Sequence, residues 1–318
     1  MDLFCFINLG GGIGLFLFGM HLMCGGLKKA SKRTLQYVLE KVANNRLKGI
    51  LLGAGVTAII QSSSATTVMT VGLVDSEVII FSEADSIIMG ANIGTTATSW
   101  LLSFTGLQRE NLLLNIISPN VISQLFATIG AVLIIFCKSS KKQNVGSVIM
   151  GLSLIFIGMN TINSAVAPLV NSPEFSSMLT MFNNPIGGLV AGTFLTSIIQ
   201  SSSASVGILQ ALSLSNAITY NMAIPIVMGQ NIGTCVTTII SGVGVNRNGK
   251  KVAFAHLCFN IIGALVLGTT FYGLNTMVQF PFLNQIVSPV GIAVIHTAFN
   301  VLSTMLMLII DNGKLIIK

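Results

Sequence analysis

The sequence predicts an all-α polytopic membrane protein made of two inverted-topology repeats, each with a re-entrant hairpin bearing the tetrapeptide QSSS. Three observations lead there. The chain is 52% hydrophobic and 8% charged, with mean hydropathy +0.84, where a soluble domain carries roughly a quarter charged residues. Apolar runs of about 18–25 residues recur, each long enough for a ~30 Å hydrocarbon core; no alternating strand-length segments of a β-barrel occur. Finally, the chain repeats itself at an offset of 139 residues. Gly53–Ala65 matches Gly192–Ala204, Ile87–Thr98 matches Ile226–Thr237, and Gly12, Leu15, Gly19 and Met20 fall on Gly151, Leu154, Gly158 and Met159 without a gap. Shared membrane composition does not hold one register that long.

Lys and Arg set the order of the elements. They cluster at 28–48, 138–142, 247–251 and at Lys314 and Lys318, leaving only Arg109 elsewhere. With every cluster on the cytoplasmic side, the first helix, near 4–26, runs inward from an external N-terminus. Segment 30–45 places Leu35, Val38, Leu39 and Val42 on one face and reads as an interfacial helix. A hairpin at 48–74 enters and leaves from the cytoplasm. Crossings follow near 86–104, 113–136 and 144–166. A second hairpin at 187–212 starts and ends outside, and crossings near 223–243, 253–275 and 288–310 return the C-terminus to the cytoplasm. The repeat supports this order: the loop at 28–48 is basic, its partner at 167–187 has no Lys or Arg, so the copies face opposite sides. The predicted domains are repeat 1, 1–138, and repeat 2, 139–318, which carries an extra C-terminal helix. Inverted repeats with broken helices are an architecture of secondary transporters.

The polar chemistry sits in two motifs. Gln61-Ser62-Ser63-Ser64 and Gln200-Ser201-Ser202-Ser203 lie in apolar surroundings, where four polar side chains are costly unless they bind something. Thirteen residues of helix from Lys48 to Gln61 span roughly 20 Å, which carries the tip towards the midplane, and the second tip arrives from the other side. Two half-helix N-termini facing a shared cavity suit an oxyanion. Serine hydroxyls add donors for an anion and lone pairs for Na⁺, and Gln61 and Gln200 can do both. Thirty-one residues after each Gln comes the Asn of NIGT, Asn92 and Asn231. That motif is expected to begin the helix after each hairpin, with the Asn bracing the hairpin tip. Thr95 and Thr98, like Thr234 and Thr237, are spaced to share a helical face and suit a hard cation. A lone serine in a membrane helix more often bonds its own backbone; two symmetric clusters argue for a site.

Other features are weaker. The net charge of +7 follows from loop Lys and Arg, so nucleic acid is excluded as a partner. Cys5, Cys24, Cys137, Cys235 and Cys258 show no metal spacing and read as small packers. The N-terminus has no basic n-region and reads as a retained helix. Asp75, Glu77, Glu83 and Asp85 read as a solvated loop. No ionisable Asp, Glu, Lys or Arg falls inside a predicted crossing, against a proton relay. His256 and His296 each precede an Asn by four residues, in HLCFN and HTAFN, and read as helix-packing hydrogen-bonders; His21 reads as a core or interface histidine.

QSSSATT with GANIGTT, and QSSSAS with GQNIGT, RNGKKVAFAHLCFN and IHTAFN, resemble the sodium/phosphate cotransporter family, its type II group and bacterial relatives, without their PhoU-like C-terminal domain. The resemblance covers nearly the whole chain. It implies a symporter of inorganic phosphate working by alternating access, with Na⁺ as coupling ion and no cofactor, in the plasma (inner) membrane. It implies that Gln61, Ser62, Ser63, Ser64, Gln200, Ser201, Ser202 and Ser203 line the site, with Ser201, Thr234 and Thr237 as Na⁺ ligands. A homodimer and a separate PhoU-like regulator are the partners it leaves to be tested. One departure stands out: the first half has no HLCFN, and 115–121 reads NIISPNV where vertebrate electrogenic members carry a His-Asp pair.

The alternatives are transport or export of another small anion, a non-transporting sensor subunit, and an intramembrane hydrolase using a QSSS serine. The last lacks a GxSxG elbow and an acid to orient either histidine.

Overall fold

The structure, a computed structural model, describes residues 3–40, 45–104, 119–169, 182 and 184–312. Among these the chain is almost entirely helical. In order, the helices are α1 (Leu3–Glu40), α2 (Arg46–Ile60), α3 (Ser63–Asp75), α4 (Phe81–Ser103), α5 (Pro119–Phe136), α6 (Ser140–Val166), α7 (Pro185–Ile199), α8 (Ser202–Ser213), α9 (Tyr220–Ser241), α10 (Arg247–Val278) and α11 (Pro289–Asn312). Five are long and apolar enough to cross a bilayer, within α1, α6, α9, α10 and α11; apolar stretches of α5 and α7 are shorter. The protein is an all-α, multi-pass membrane protein.

Local chemistry sets the helix ends. Asn45 and Asn184, 139 residues apart, cap α2 and α7 by accepting from Leu47 N at 2.9 Å and Ile186 N at 3.0 Å. Such caps satisfy N–H groups that the helix cannot. Asn246 does the same for α10, accepting from Asn248 N and Gly249 N. Its own N–H donates to Asp75 Oδ1 at 2.7 Å, tying the end of α3 to the start of α10. Between α8 and α9 the chain pairs with the segment before α11, Val287 N donating to Ile218 O and Tyr220 N to Gln285 O.

Glycine governs the closest packing, and it does so twice. A side chain on Gly53 would collide with the Ile87 carbonyl, and one on Gly90 with the Ile50 carbonyl, where α2 crosses α4. At the same offset, Gly192 meets the Ile226 carbonyl and Gly229 the Leu189 carbonyl, where α7 crosses α9. α1 and α6, repeat partners in sequence, pack antiparallel: Gly12 lies against Ile162, Gly19 against Gly151 and Ile155, and Gly26 against Asn144. The contact is two-fold symmetric, since Gly158 also meets Gly12. Phe16, Met20 and Met23 of α1 with Ile155, Met159 and Ile162 of α6 form a core closed by Leu102 of α4 and Ile208 of α8.

Several expectations need correction. The first helix does not end near residue 26: α1 runs unbroken through Glu40, about 57 Å at 1.5 Å per residue. Gly25 and Gly26 stay helical, so the expected surface helix is a continuation of α1; its residues 41–44 lie outside the described residues. The expected acidic loop is mostly helix. Asp75 ends α3, and Glu83 and Asp85 open α4, where Glu83 accepts from Ile80 N at 3.1 Å. NIGT does not begin a helix but lies mid-helix in α4 and α9. His21 is exposed, which removes the core reading of this residue and leaves the interface one. The 115–118 part of NIISPNV and Arg109 lie outside the described residues.

Candidate functional site

Each QSSS stretch breaks a helix at its Gln. Gln61 (φ 59°, ψ 31°) and Gln200 (φ 57°, ψ 24°) both occupy the left-handed region, which a non-glycine residue adopts at a cost on the order of 1 kcal/mol. The next serine restarts the chain. Ser62 Oγ accepts from Ala65 N at 3.2 Å and Ser201 Oγ from Ala204 N at 3.3 Å, N-capping α3 and α8. Side chains pin the two short helices across each break: Thr57 donates to Thr66 at 2.9 Å, and Thr196 to Ser205 at 2.8 Å. The two breaks share one backbone geometry, and each opens a fresh helix N-terminus.

The breaks do not stay within their own halves. α3 packs on α9, and α8 packs on α4. Thr98, on α4, is the meeting point. Its Oγ1 donates to Gln61 Oε1 at 2.7 Å and accepts from Ser203 Oγ at 3.5 Å. Gln61 Nε2 donates back to the Ala58 carbonyl, so its amide is held at both ends. Ser63, Ser202 and Ser203 are each 4% exposed, Ser62, Ser64 and Ser201 are half-buried, and Gln200 is exposed. Gln61, Thr98 and Ser203 therefore form one hydrogen-bonded group, and Gln200 has no part in it.

The remaining candidates face their own helices. Thr95 donates to Ala91 O at 3.0 Å, Thr234 to Gln230 O at 2.9 Å and Thr237 to Thr234 O at 2.9 Å. This back-bonding is the ordinary role of a membrane threonine, yet a hydroxyl that gives up its proton keeps its lone pairs for a cation. Asn92 and Asn231 do not bond to the QSSS stretches as expected. Asn231 Nδ2 donates to Val227 O at 2.8 Å, and Asn92 Oδ1 lies 3.4 Å from His256 Nε2.

The histidines are hydrogen-bonders, as their sequence setting suggests, and both are fully buried. His256 Nδ1 lies 3.0 Å from Thr238 Oγ1, and His296 Nδ1 3.2 Å from Ser99 Oγ. Thr238 and Ser99 are 139 residues apart, so both histidines address one repeat position. The HLCFN missing from the first half is thus matched in space by HTAFN: α11 packs on α4 as α10 packs on α9. In each, the Asn four residues on donates to the histidine carbonyl, at 3.0 Å for Asn260 and 2.9 Å for Asn300.

Buried glutamines escaped the sequence reading. Gln210 Nε2 donates to Ser99 O at 2.9 Å and Pro289 O at 2.8 Å, joining α8, α4 and α11. Gln230 is fully buried with neither amide atom paired. The available signal was Gln230 itself, standing where the first motif has Ala91. A separate cavity of about 650 Å³, lined by Asn8, Ser123, Gln124, Asn160, Thr161 and Ser164 among others, contains no motif residue. Among the described residues no group of three or more His, Cys, Asp or Glu is placed to hold a metal ion.

A family model described as Na+/Pi-cotransporter matches residues 15–164 and 168–304. YqeW of Bacillus subtilis (strain 168) is 30% identical over 254 residues, 79% of this chain and 78% of that protein. YjbB of Escherichia coli O157:H7, provisionally named an inorganic phosphate export protein, is 26% identical over 265 residues. That match takes in 82% of this chain but 46% of YjbB, so the chain spans less than half of that relative's length. Sodium-dependent phosphate transport protein 2B of Pongo abelii is 36% identical over 151 residues, 44% of this chain and 21% of that protein. No solved structure matches the chain.

Proposed function

The chain belongs to the Na+/Pi-cotransporter family, a family of transporters and not of enzymes, and from that premise we propose that it is a sodium-coupled symporter of inorganic phosphate. In this reading 1–138 and 139–318 are inverted-topology repeats, and α2–α3 and α7–α8 are hairpins that enter the membrane from opposite sides. Support for the inversion comes from α1 and α6, equivalent in sequence and antiparallel in space, and from the basic loop that the second repeat lacks. The observation that carries the single-site reading is Thr98, whose one hydroxyl contacts Gln61 of the first motif and Ser203 of the second.

Phosphate would lie against the N-terminal turns of α3 and α8, where serine hydroxyls and unpaired N–H groups donate. Burial of Ser63, Ser202 and Ser203 strengthens those contacts by excluding water. Na⁺ would be met by the oxygens of Gln61, Thr95, Thr98, Ser201, Thr234 and Thr237, and Asn92 and Asn231 complete the polar lining. No Asp, Glu, Lys or Arg belongs to this group, so cation and anion compensate each other's charge. That mutual need is the physical origin of coupling, because either ion alone leaves an unmatched charge at low dielectric. Alternating access then amounts to movement of the two helix pairs around this shared point. The hydrolase alternative loses its base: the histidines pair through Nδ1 with Thr238 and Ser99, not with a QSSS serine.

The test is ³²P-phosphate uptake into proteoliposomes under an inward Na⁺ gradient, with K⁺ replacement and Ser202→Ala as controls. Uptake that needs Na⁺ and falls in the variant supports the reading; equal uptake in K⁺ refutes the coupling. Export is a second reading, favoured by the match to YjbB over most of this chain. It predicts the same ion dependence with net flux outward.

A further inference from the structure

One histidine is wired to a QSSS motif and the other is not. From Thr238, the partner of His256, the contacts continue: Thr238 Oγ1 lies 3.1 Å from Thr67 Oγ1, and Thr67 donates to the Ser64 carbonyl at 3.1 Å. On the His296 side, Val206 stands where the repeat would place Thr67, so the path from Ser99 has no hydroxyl to enter. His256, Thr238 and Thr67 are each 0% exposed, and Asn92 is 3% exposed. Every proton in the path must therefore be accounted for within the protein.

With every contact in the path counted as a hydrogen bond and the buried imidazole neutral, the count leaves one arrangement. Thr67 has a single hydroxyl proton and gives it to Ser64 O, so the bond between the threonines is donated by Thr238. The proton of Thr238 is then spent, and His256 Nδ1 has to donate. A neutral imidazole protonated at Nδ1 presents Nε2 as an acceptor. Nε2 lies 3.4 Å from Asn92 Oδ1, an acceptor facing an acceptor, while Asn92 Nδ2 is buried without a partner. Turning the Asn92 amide over, a choice that rests on the hydrogen-bond network, removes the clash of acceptors and gives Nδ2 a partner, at the cost of leaving Oδ1 as the buried unpaired atom. Nδ2 then donates to Nε2, and the path runs one way from Asn92 through His256, Thr238 and Thr67 to Ser64.

We infer that His256, as its Nδ1–H tautomer, is a positioning residue for the first QSSS motif, acting through Thr238 and Thr67 on Ser64; its consequence for transport rests on the proposed function. The path joins α4 and α10 to α9 and α3, and so fixes the first turn of α3 against the second half of the chain. Cutting it leaves the ion-contacting groups in place but lets the turn that presents them move. Affinity suffers and turnover does not.

The experiment uses the full chain. In proteoliposomes, His256→Leu and Thr67→Val are expected to raise KM for phosphate about tenfold, the worth of a broken buried hydrogen bond, with kcat within about twofold. His256→Asn, which keeps a donor near the Nδ1 position, restores most of the affinity, and His296→Leu leaves KM unchanged. Equal KM effects of His256→Leu and His296→Leu, or no effect of Thr67→Val, would overturn the inference. ¹⁵N-histidine NMR of the wild type in bilayers decides it separately from transport and from any folding defect of the variants: a His256 Nδ1–H signature is expected, and an Nε2–H signature overturns it. If the wild type carries no phosphate, the transport reading fails while the tautomer still answers for the positioning path.

Discussion

Thr98 donates its hydroxyl proton to Gln61 Oε1 at 2.7 Å, across 37 residues of sequence. Thr98 Oγ1 itself accepts from Ser203 Oγ at 3.5 Å, from the other half of the chain. Thr98→Val keeps the shape and removes both bonds. Each is worth about 0.5–1.5 kcal/mol net, so phosphate affinity should fall about tenfold with the thermal midpoint little changed. Equilibrium phosphate binding to the purified protein checks this; unaltered affinity would show that the two motifs do not act through Thr98.

The glycine crossings predict a sharp contrast between neighbours. Gly53→Ala drives a methyl into the Ile87 carbonyl, whereas a methyl on Gly55 meets nothing within 4 Å. Gly53→Ala should cost about 1–3 kcal/mol, the usual penalty of overpacking, and Gly192→Ala the same. Gly55→Ala should be neutral or slightly stabilising, since Ala favours the helix. Thermal unfolding in detergent ranks the three.

Asp85 lies at the start of α4, ahead of the predicted crossing at 86–104. Burial raises its carboxyl to about 6, against the opposing pull of Arg46. The folded protein then holds a proton that the unfolded chain releases near pH 4. Stability from this group is therefore greatest at low pH and declines as pH rises from about 4 through 6. Asp85→Asn should flatten that part of the profile and raise stability at neutral pH. A midpoint-against-pH curve with the same slope in both proteins would exclude Asp85 as its source.

Asn45 and Asn184 occupy one repeat position and cap equivalent helices. If the repeats are inverted, cysteines placed there face opposite compartments. In a background without the five native cysteines, an impermeant thiol reagent should label Asn45→Cys only from the cytoplasmic side and Asn184→Cys only from outside. Labelling of both from one side would make the repeats parallel.

The local features of the site were legible before the structure. QSSS reads as the tip of a hairpin that opens a half-helix N-terminus, and Ser62 and Ser201 turn out to cap the helices that restart there. The 139-residue register also placed Gly53 on Gly192 and Gly90 on Gly229, which make matching helix crossings. What sequence left dark is non-local. Thr98 looked like one of four equivalent threonines, and only packing of α8 on α4 separates it from Thr237, which merely bonds its own helix. The histidine for the first half hid because the repeat offset points to 115–121, whereas α11, outside the repeat, supplies it. α1 continues past the 4–26 crossing into the segment read as an interfacial helix, and nothing local in the sequence reveals that the two are one helix.

Central to the account is that Na⁺ and phosphate move together through one site. Proteoliposomes carrying equal phosphate inside and outside, with Na⁺ high only outside, measure this directly. The account predicts that ³²P-phosphate accumulates above its external concentration and drains back when a Na⁺ ionophore collapses the gradient. Internal phosphate that never exceeds the external level, with or without the ionophore, would contradict it.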